Sequence, residues 1–184
     1  FGPCASGSLQ ADIVPGSFVV PDQIVDRTWG RDDSFFDGED GRPVHHVAFG
    51  DPYDDRLRAV AIEACRQEGV EVHVKGTVVT IQGPRFSTRA ESRWFSSHGW
   101  EVINMTQHPE AVLCREAGLR YAAIALITDF DAGLEGTGIP SVTQEEVFAF
   151  FEANVETVRR VLFRALEAEL PTGRTDAGPG FEAP

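Results

Sequence analysis

Leu119-Arg120-Tyr121-Ala122-Ala123-Ile124-Ala125-Leu126-Ile127-Thr128 is the stretch that decides the fold. From Tyr121 to Ile127 no charged or strongly polar side chain interrupts the run. A strand with one wet face alternates polar and apolar residues, whereas one covered on both faces does not. The run therefore predicts a central strand with helices on both sides. It leads directly into Thr128-Asp129-Phe130-Asp131-Ala132-Gly133. Ligands of open α/β sheets gather outside the carboxyl ends of strands, so chemistry is sought first at this junction. Two carboxylates spaced i, i+2 at a strand end point to the same side. They could bind a divalent cation, accept protons from a base, or cap the following turn. No further Asp, Glu or His stands at a convincing spacing, so no metal is expected.

Outward from this strand, helical and extended patterns alternate, which is the mark of an α/β domain. Trp100–Met105 reads as a strand, and Pro109 sits in the first turn of a short helix ended by Gly118. Thr88 and Glu91 form a capping box that opens a helix stopping at Gly99. Val70, Val72 and Val74 alternate, and Thr77–Ile81 is a second β-branched run closed by Gly83-Pro84. Asp54 to Glu68 places Leu57, Val60, Ala61, Ala64 and Cys65 on one helical stripe, with Gly69 at its end. Phe18–Val25 is extended with a break at Pro21, and Asp32 to Pro43 reads as a surface loop. Beyond a Gly-rich loop, Thr143 and Glu146 open a long helix. It is expected to turn Val147, Phe150, Phe151, Val155, Val158, Leu162, Ala165 and Leu166 inward. Residues 1–170 make one domain, and 171–184 read as a flexible tail.

The 16 basic and 29 acidic residues give a formal charge of -13. Nucleic acids and anionic membranes are poor partners for such a chain, since their affinity comes from Lys and Arg. A small anion can still be held by backbone N–H groups and hydroxyls. The three cysteines, Cys4, Cys65 and Cys114, follow no disulfide or zinc pattern. They are expected to be reduced thiols of a cytoplasmic protein. No apolar run approaches the ~20 residues of a membrane span. Met105 is the only methionine, so residue 1 is not read as a translation start.

Four further segments invite chemistry, each with a plainer alternative. Cys4-Ala5-Ser6-Gly7-Ser8-Leu9 reads as a small-residue turn whose N–H groups could approach an anion, or as an ordinary tight turn. Asn104-Met105-Thr106 closes a strand and is either a site or only its exit. His45-His46 are adjacent, so they suit surface histidines better than one metal centre. Gly83-Pro84-Arg85-Phe86-Ser87 could be a structural connection whose phenylalanine joins the core.

In this order these segments resemble the 5′-methylthioadenosine phosphorylases of the trimeric nucleoside phosphorylase family. The resemblance runs from Phe1 to about Leu170. Its most specific part is Gly76-Thr77-Val78-Val79-Thr80-Ile81-Gln82-Gly83-Pro84-Arg85-Phe86-Ser87-Thr88-Arg89-Ala90-Glu91-Ser92. Val102-Ile103-Asn104-Met105-Thr106 followed by Pro109-Glu110-Ala111-Val112-Leu113 matches too, as do Thr128 to Asp131 and Asp22-Gln23 with Asp26-Arg27-Thr28.

The resemblance implies a mixed central sheet, partly barrel-like and flanked by helices. It implies a homotrimer that converts 5′-methylthioadenosine and inorganic phosphate to adenine and 5-methylthioribose 1-phosphate, without metal or organic cofactor. By position, Cys4, Ala5 and Thr106 face phosphate, and Met105, beside Ile103 and Asn104, lies under the ribose. Phe86 stacks near the base, and Thr128, Asp129 and Asp131 address the purine edge. Ser87 and Val142 tune substrate choice, and His46 is lent to the neighbouring subunit.

The chemistry suits these roles. Breaking a glycosidic bond builds negative charge on the leaving purine, and stabilisation belongs where charge develops. Asp129 is expected to hold or share the proton at purine N7, which needs a raised pKa. Family members that prefer 6-oxopurines carry Asn there, so adenine is expected over hypoxanthine, with a small apolar 5′ group and 5′-methylthioinosine as the alternative.

Two departures stand out. The family's Gly-rich phosphate loop and Arg-His motif, which come earlier in its members, are absent, so an N-terminal part is expected to be missing. Cys4 replaces the threonine of many relatives, and a thiol donates weakly. Rival readings are a general purine nucleoside phosphorylase, a non-catalytic fragment, and a generic nucleotide-binding domain. The last lacks any GxGxxG or GxxxxGK[ST] run.

Overall fold

The central strand is in place. A computed structural model describes residues 1–38, 41–133, 138 and 140–169; the predicted tail lies outside these residues. The elements in chain order are β1 (Gly2–Ser8), β2 (Phe18–Val19), β3 (Gln23–Arg27), α1 (Asp55–Gln67), β4 (Val72–His73) and β5 (Thr77–Ile81). They continue with α2 (Arg89–Ser97), β6 (Val102–Asn104), α3 (Gln107–Glu116), β7 (Ala123–Asp129) and α4 (Gln144–Glu169).

The apolar run becomes β7, whose first six residues are all buried. Its side chains go alternately to two cores. Ile124 and Leu126 pack with Phe18 and Val20 against Ala61, Ala64 and Cys65 of α1 and Val158, Val161 and Ala165 of α4. Ala123, Ala125 and Ile127 face the other way, with Val78, Val102, Ala111 and Tyr121. Two-sided burial is why the run does not alternate.

One expectation is overturned at the chain's start. Residues 4–8, read as part of a turn, lie in strand β1 at the centre of the sheet. β1 pairs in parallel with β7, from Gly2 opposite Ala123 to Gly7 opposite Asp129, and antiparallel with β6. Its small residues reflect crowding rather than turning. A Cβ on Gly2 would lie 2.0 Å from the Tyr121 hydroxyl, and one on Gly7 would lie 2.9 Å from Asp129 Oδ1.

Among the described residues the sheet is mixed, seven-stranded and ordered β3-β5-β6-β1-β7-β2-β4. β2 pairs in parallel with β4, and β3, which follows β2, pairs in parallel with β5, which follows β4. At the bend between the two pairs, Asp22 N–H donates to Gly76 O at 3.1 Å and Gly76 N–H to Asp22 Oδ1 at 3.0 Å. The two edges of the sheet are thus successive halves of one bent strand pair. That is why the sheet curls toward a barrel.

α1 and α2 start and stop where their caps predict, whereas α3 begins at Gln107 without a side-chain cap. The Asp54 carboxylate accepts from Leu57 N–H at 2.9 Å, and Gly69 takes a φ of 70° just past α1. Thr88 and Glu91 complete a reciprocal capping box on α2. β4 is shorter than the Val70–Val74 alternation suggests, holding only Val72 and His73. α4 buries Val158, Val161 and Ala165, whereas Val155 and Leu166, expected inside, are exposed. Its inward face is set by packing on α1 and β7, and Val161, fully buried, takes the central place. Among the described residues, no helix is long and apolar enough to cross a membrane.

Candidate active site

β1 runs along the floor of a cleft of about 500 Å³ lined by residues 3–7. At one end of the strand, Cys4 neighbours Thr106 and Glu110 on the wall; at the other, Gly7 lies opposite Asp129. Three residue steps of strand at about 3.3 Å each separate these ends by roughly 10 Å. That length suits a nucleoside with an anion beneath it. Ile103, opposite Gly7, and Met105 also line the wall, and Pro84 and Phe86 line it from beyond β5.

The turn after β6 is built around Asn104. Its side chain is buried; Oδ1 accepts from Thr80 Oγ1, Thr106 N–H and Gln107 N–H, each at 3.4 Å. Nδ2 donates to Ser6 Oγ at 3.4 Å and to Cys4 Sγ at 3.6 Å. Asn104 therefore fixes the cleft wall, with its polar groups already spent. Cys4 Sγ also accepts from Gln107 Nε2 at 3.7 Å. Burial outweighs these bonds and pushes the thiol up to about 11, so it is neutral near pH 7. Behind it, Gln107 bridges Tyr53 and Tyr121, and the Tyr121 hydroxyl donates to Glu110 Oε2 at 2.5 Å.

The carboxylates stand at the other end. Asp131 has a φ of 50°, a left-handed conformation that Asp tolerates better than most residues. Its backbone N–H donates to Asp129 Oδ1 at 2.7 Å, while Thr128 Oγ1 donates to Asp129 Oδ2 at 2.6 Å. Loss of solvent raises the pKa of Asp129 above the usual carboxylate range, and those two bonds only partly oppose it. Burial raises Asp131 likewise, opposed by the hydroxyls of Ser92 and Ser87. Those hydroxyls lie close enough to favour the anion, yet Asp131 Oδ2 and Ser87 Oγ have no partner of normal hydrogen-bond geometry. Asp131 thus keeps a buried acceptor oxygen beside the cleft.

The structure brings together Cys4, Ala5, Phe86, Ile103, Asn104, Met105, Thr106, Thr128, Asp129 and Asp131. It does not bring Ser87, Val142 or His46 to the cleft wall. Ser87 sits behind Asp131, and His46 is exposed in the loop before α1. Val142 is tied by its N–H to Asp131 O at 3.2 Å, and the wall beyond it comes from Gln144, Val147, Phe148 and Phe151 of α4. Of these, Val147 and Phe151 were expected in the core. The helix start carries more apolar residues than its packing on α1 and β7 uses; Phe148 is 63% exposed. That surplus was the available signal. Glu110 was also missed as a wall residue, since nothing local marks it, and Gly7 was marked only as part of the small-residue segment 4–9. Among the described residues, no group of three or more His, Cys, Asp or Glu could hold a metal ion.

Residues 4–167 match the family model described as the phosphorylase superfamily. The chain belongs to the phosphorylase superfamily. Among related superfamily members, the S-methyl-5′-thioadenosine phosphorylase of Mycolicibacterium smegmatis is 55% identical over 170 residues, covering 91% of this chain and 61% of that protein. The purine nucleoside phosphorylase of Streptomyces coelicolor is 47% identical over 185 residues, covering 97% of this chain and 65% of that one. The solved methylthioadenosine phosphorylase from Schistosoma mansoni in complex with adenine superposes with a TM-score of 0.84 at 38% identity. That match covers 90% of this chain and 64% of the Schistosoma chain. The chain thus spans less than two thirds of the length of these relatives.

Proposed function

We propose that the protein carrying this chain performs phosphorolysis of 5′-methylthioadenosine, releasing adenine and 5-methylthioribose 1-phosphate. The observation that carries this reading is the carboxylate pair at the Gly7 end of the cleft. One acid is raised and fixed by two donors, and the other holds a buried oxygen without a partner. Asp129, protonated or sharing its proton with purine N7, relieves the charge of the departing base. Asp131 Oδ2 accepts from the 6-amino group, and Phe86 lies against the ring. Inorganic phosphate binds by Cys4, Ala5 and Thr106, offsets the positive charge growing on the ribose, and attacks its anomeric carbon. Met105 supports the ribose, and the apolar side chains of α4 face a small apolar 5′ group.

In this reading phosphate is a co-substrate and no metal or organic cofactor takes part. The protein works as a cytoplasmic homotrimer in purine and methionine salvage, with His46 reaching the neighbouring subunit's site. The names of the Mycolicibacterium and Schistosoma relatives support the substrate. The Streptomyces relative's name favours a second reading, a general purine nucleoside phosphorylase. Phosphate-dependent base release from methylthioadenosine and from inosine, measured on the full-length protein, separates the two. Methylthioadenosine is expected to be the better substrate because Asp131 Oδ2 offers an acceptor rather than a donor to a 6-oxo group. A preference for inosine would overturn the reading.

A further inference from the structure

Arg31 lies in the loop after β3, one residue before the segment Asp32 to Pro43 that reads as a surface loop, and it does not line the cleft. All five N–H donors of a guanidinium are nonetheless engaged here. Nη1 donates to Met105 O at 2.9 Å and, in a very short contact, to His108 O. Nη2 donates to Gln82 O at 2.9 Å and to Ile81 O at 3.2 Å, and Nε to Gln82 Oε1 at 3.2 Å. These acceptors belong to the places where β5 and β6 end and the chain leaves the sheet. His108 is extended inside the start of α3, with φ -112° and ψ 127°, so its carbonyl is outside the helix ladder. Carbonyls without a ladder partner must find other donors.

The loop that brings Arg31 is itself pinned. The Glu116 carboxylate accepts from Ser34 Oγ at 2.8 Å and Phe35 N–H at 2.7 Å. The His108 ring nitrogen lies 3.3 Å from Asp33 and 3.5 Å from Asp26.

We propose that Arg31 is a positioning residue: its planar cation clamps the ends of β5 and β6 and thereby sets the Met105-Thr106 turn against the substrate and phosphate. The inference rests on the phosphorolysis reading for its kinetic consequence, though not for its structural one. Only a guanidinium has donors in a fixed fork that reaches two strand ends at once. A lysine ammonium is a point charge with three donors and cannot span them.

The test uses Arg31→Lys and Arg31→Met in the full-length protein, with wild type beside them. Both variants should keep the wild-type circular dichroism. In Arg31→Met, kcat/KM for phosphate should fall by about 10- to 100-fold, the scale for a reacting group displaced by about 1 Å. Arg31→Lys should restore little of it, and added methylguanidinium should restore part of it. Amide hydrogen exchange at Thr106 and Gln107 should speed up, while that of Ala125 to Ile127 stays slow. Unchanged exchange at Thr106 and Gln107 would overturn the proposal. So would a rate loss that only tracks the folded fraction with KM for phosphate unmoved. If wild type shows no phosphorolysis, the proposed function fails and the exchange measurement alone still decides the role of Arg31.

Discussion

Replacing Asp129 by Asn tests the chemistry with little disturbance of the fold. The amide is isosteric, and its oxygen can keep the 2.7 Å bond from Asp131 N–H. Its NH2 then faces Thr128 Oγ1, which today donates to the carboxylate at 2.6 Å and lies 3.3 Å from Ser6 O. Thr128 can turn its hydrogen to Ser6 O and accept from the amide, so each polar atom still has a partner. Stability at neutral pH should change by no more than about one ordinary hydrogen bond, about 0.5–1.5 kcal/mol. Turnover should change far more. Loss of a positioned proton donor costs about 10²–10⁴ in rate, or about 2.7–5.4 kcal/mol of barrier. The assay is phosphate-dependent adenine release from methylthioadenosine under saturating conditions, with thermal unfolding run in parallel. The variant should also flatten the dependence of stability on pH. A raised folded pKa for Asp129 means that the folded state holds a proton the unfolded chain has lost. Wild-type stability therefore falls as pH rises from the ordinary carboxylate value through the raised one. Turnover within a factor of a few of wild type, in a folded variant, would refute the assignment of Asp129 as the acid.

Two further outcomes can be checked. Glu91 carries the capping box of α2 and pairs with Arg85 at 2.8 Å; hydrogen bonds from Arg85 and Thr88 lower its pKa from 4.5 to about 2. Its folded pKa is depressed, so its contribution is present above about pH 4.5 and lost as pH falls toward about 2. Glu91→Gln should shrink that acid-side loss in urea titrations, and an unchanged acid limb would contradict the charge-assisted bonds from Arg85 and Thr88. Cys4→Thr replaces a neutral, weakly donating thiol with a hydroxyl at the end of the cleft where phosphate is proposed to bind. One added hydrogen bond of about 0.5–1.5 kcal/mol should lower KM for phosphate by roughly 2- to 12-fold. An unchanged or higher KM would show that residue 4 does not meet phosphate.

The order of elements was legible because local rules are local. Asp54, Thr88 and Thr143 cap helices with their own side chains, and Gly69 and Gly99 accept the left-handed conformation that ends them. The lack of alternation from Tyr121 to Ile127 foretold a strand covered on both faces. β1 was not legible, because Gly and Ser are common in turns and their crowding by Tyr121 and Asp129 comes from across the sheet. The sequence reading also turned too many apolar residues of α4 inward, Val155 and Leu166 among them, since its stripe serves both a core and a cleft wall.

The sequence by itself determined the type and order of the elements, the acids at the end of the central strand, and the family to which the motifs point. Those are properties of neighbouring residues and of short spacings. Only the tertiary structure decided that β1 spans the cleft, that Gln144 and Val147 rather than Val142 close it, and that Arg31 clamps two strand ends. Each depends on groups far apart in the chain meeting in space, where crowding and unpaired carbonyls select what fits.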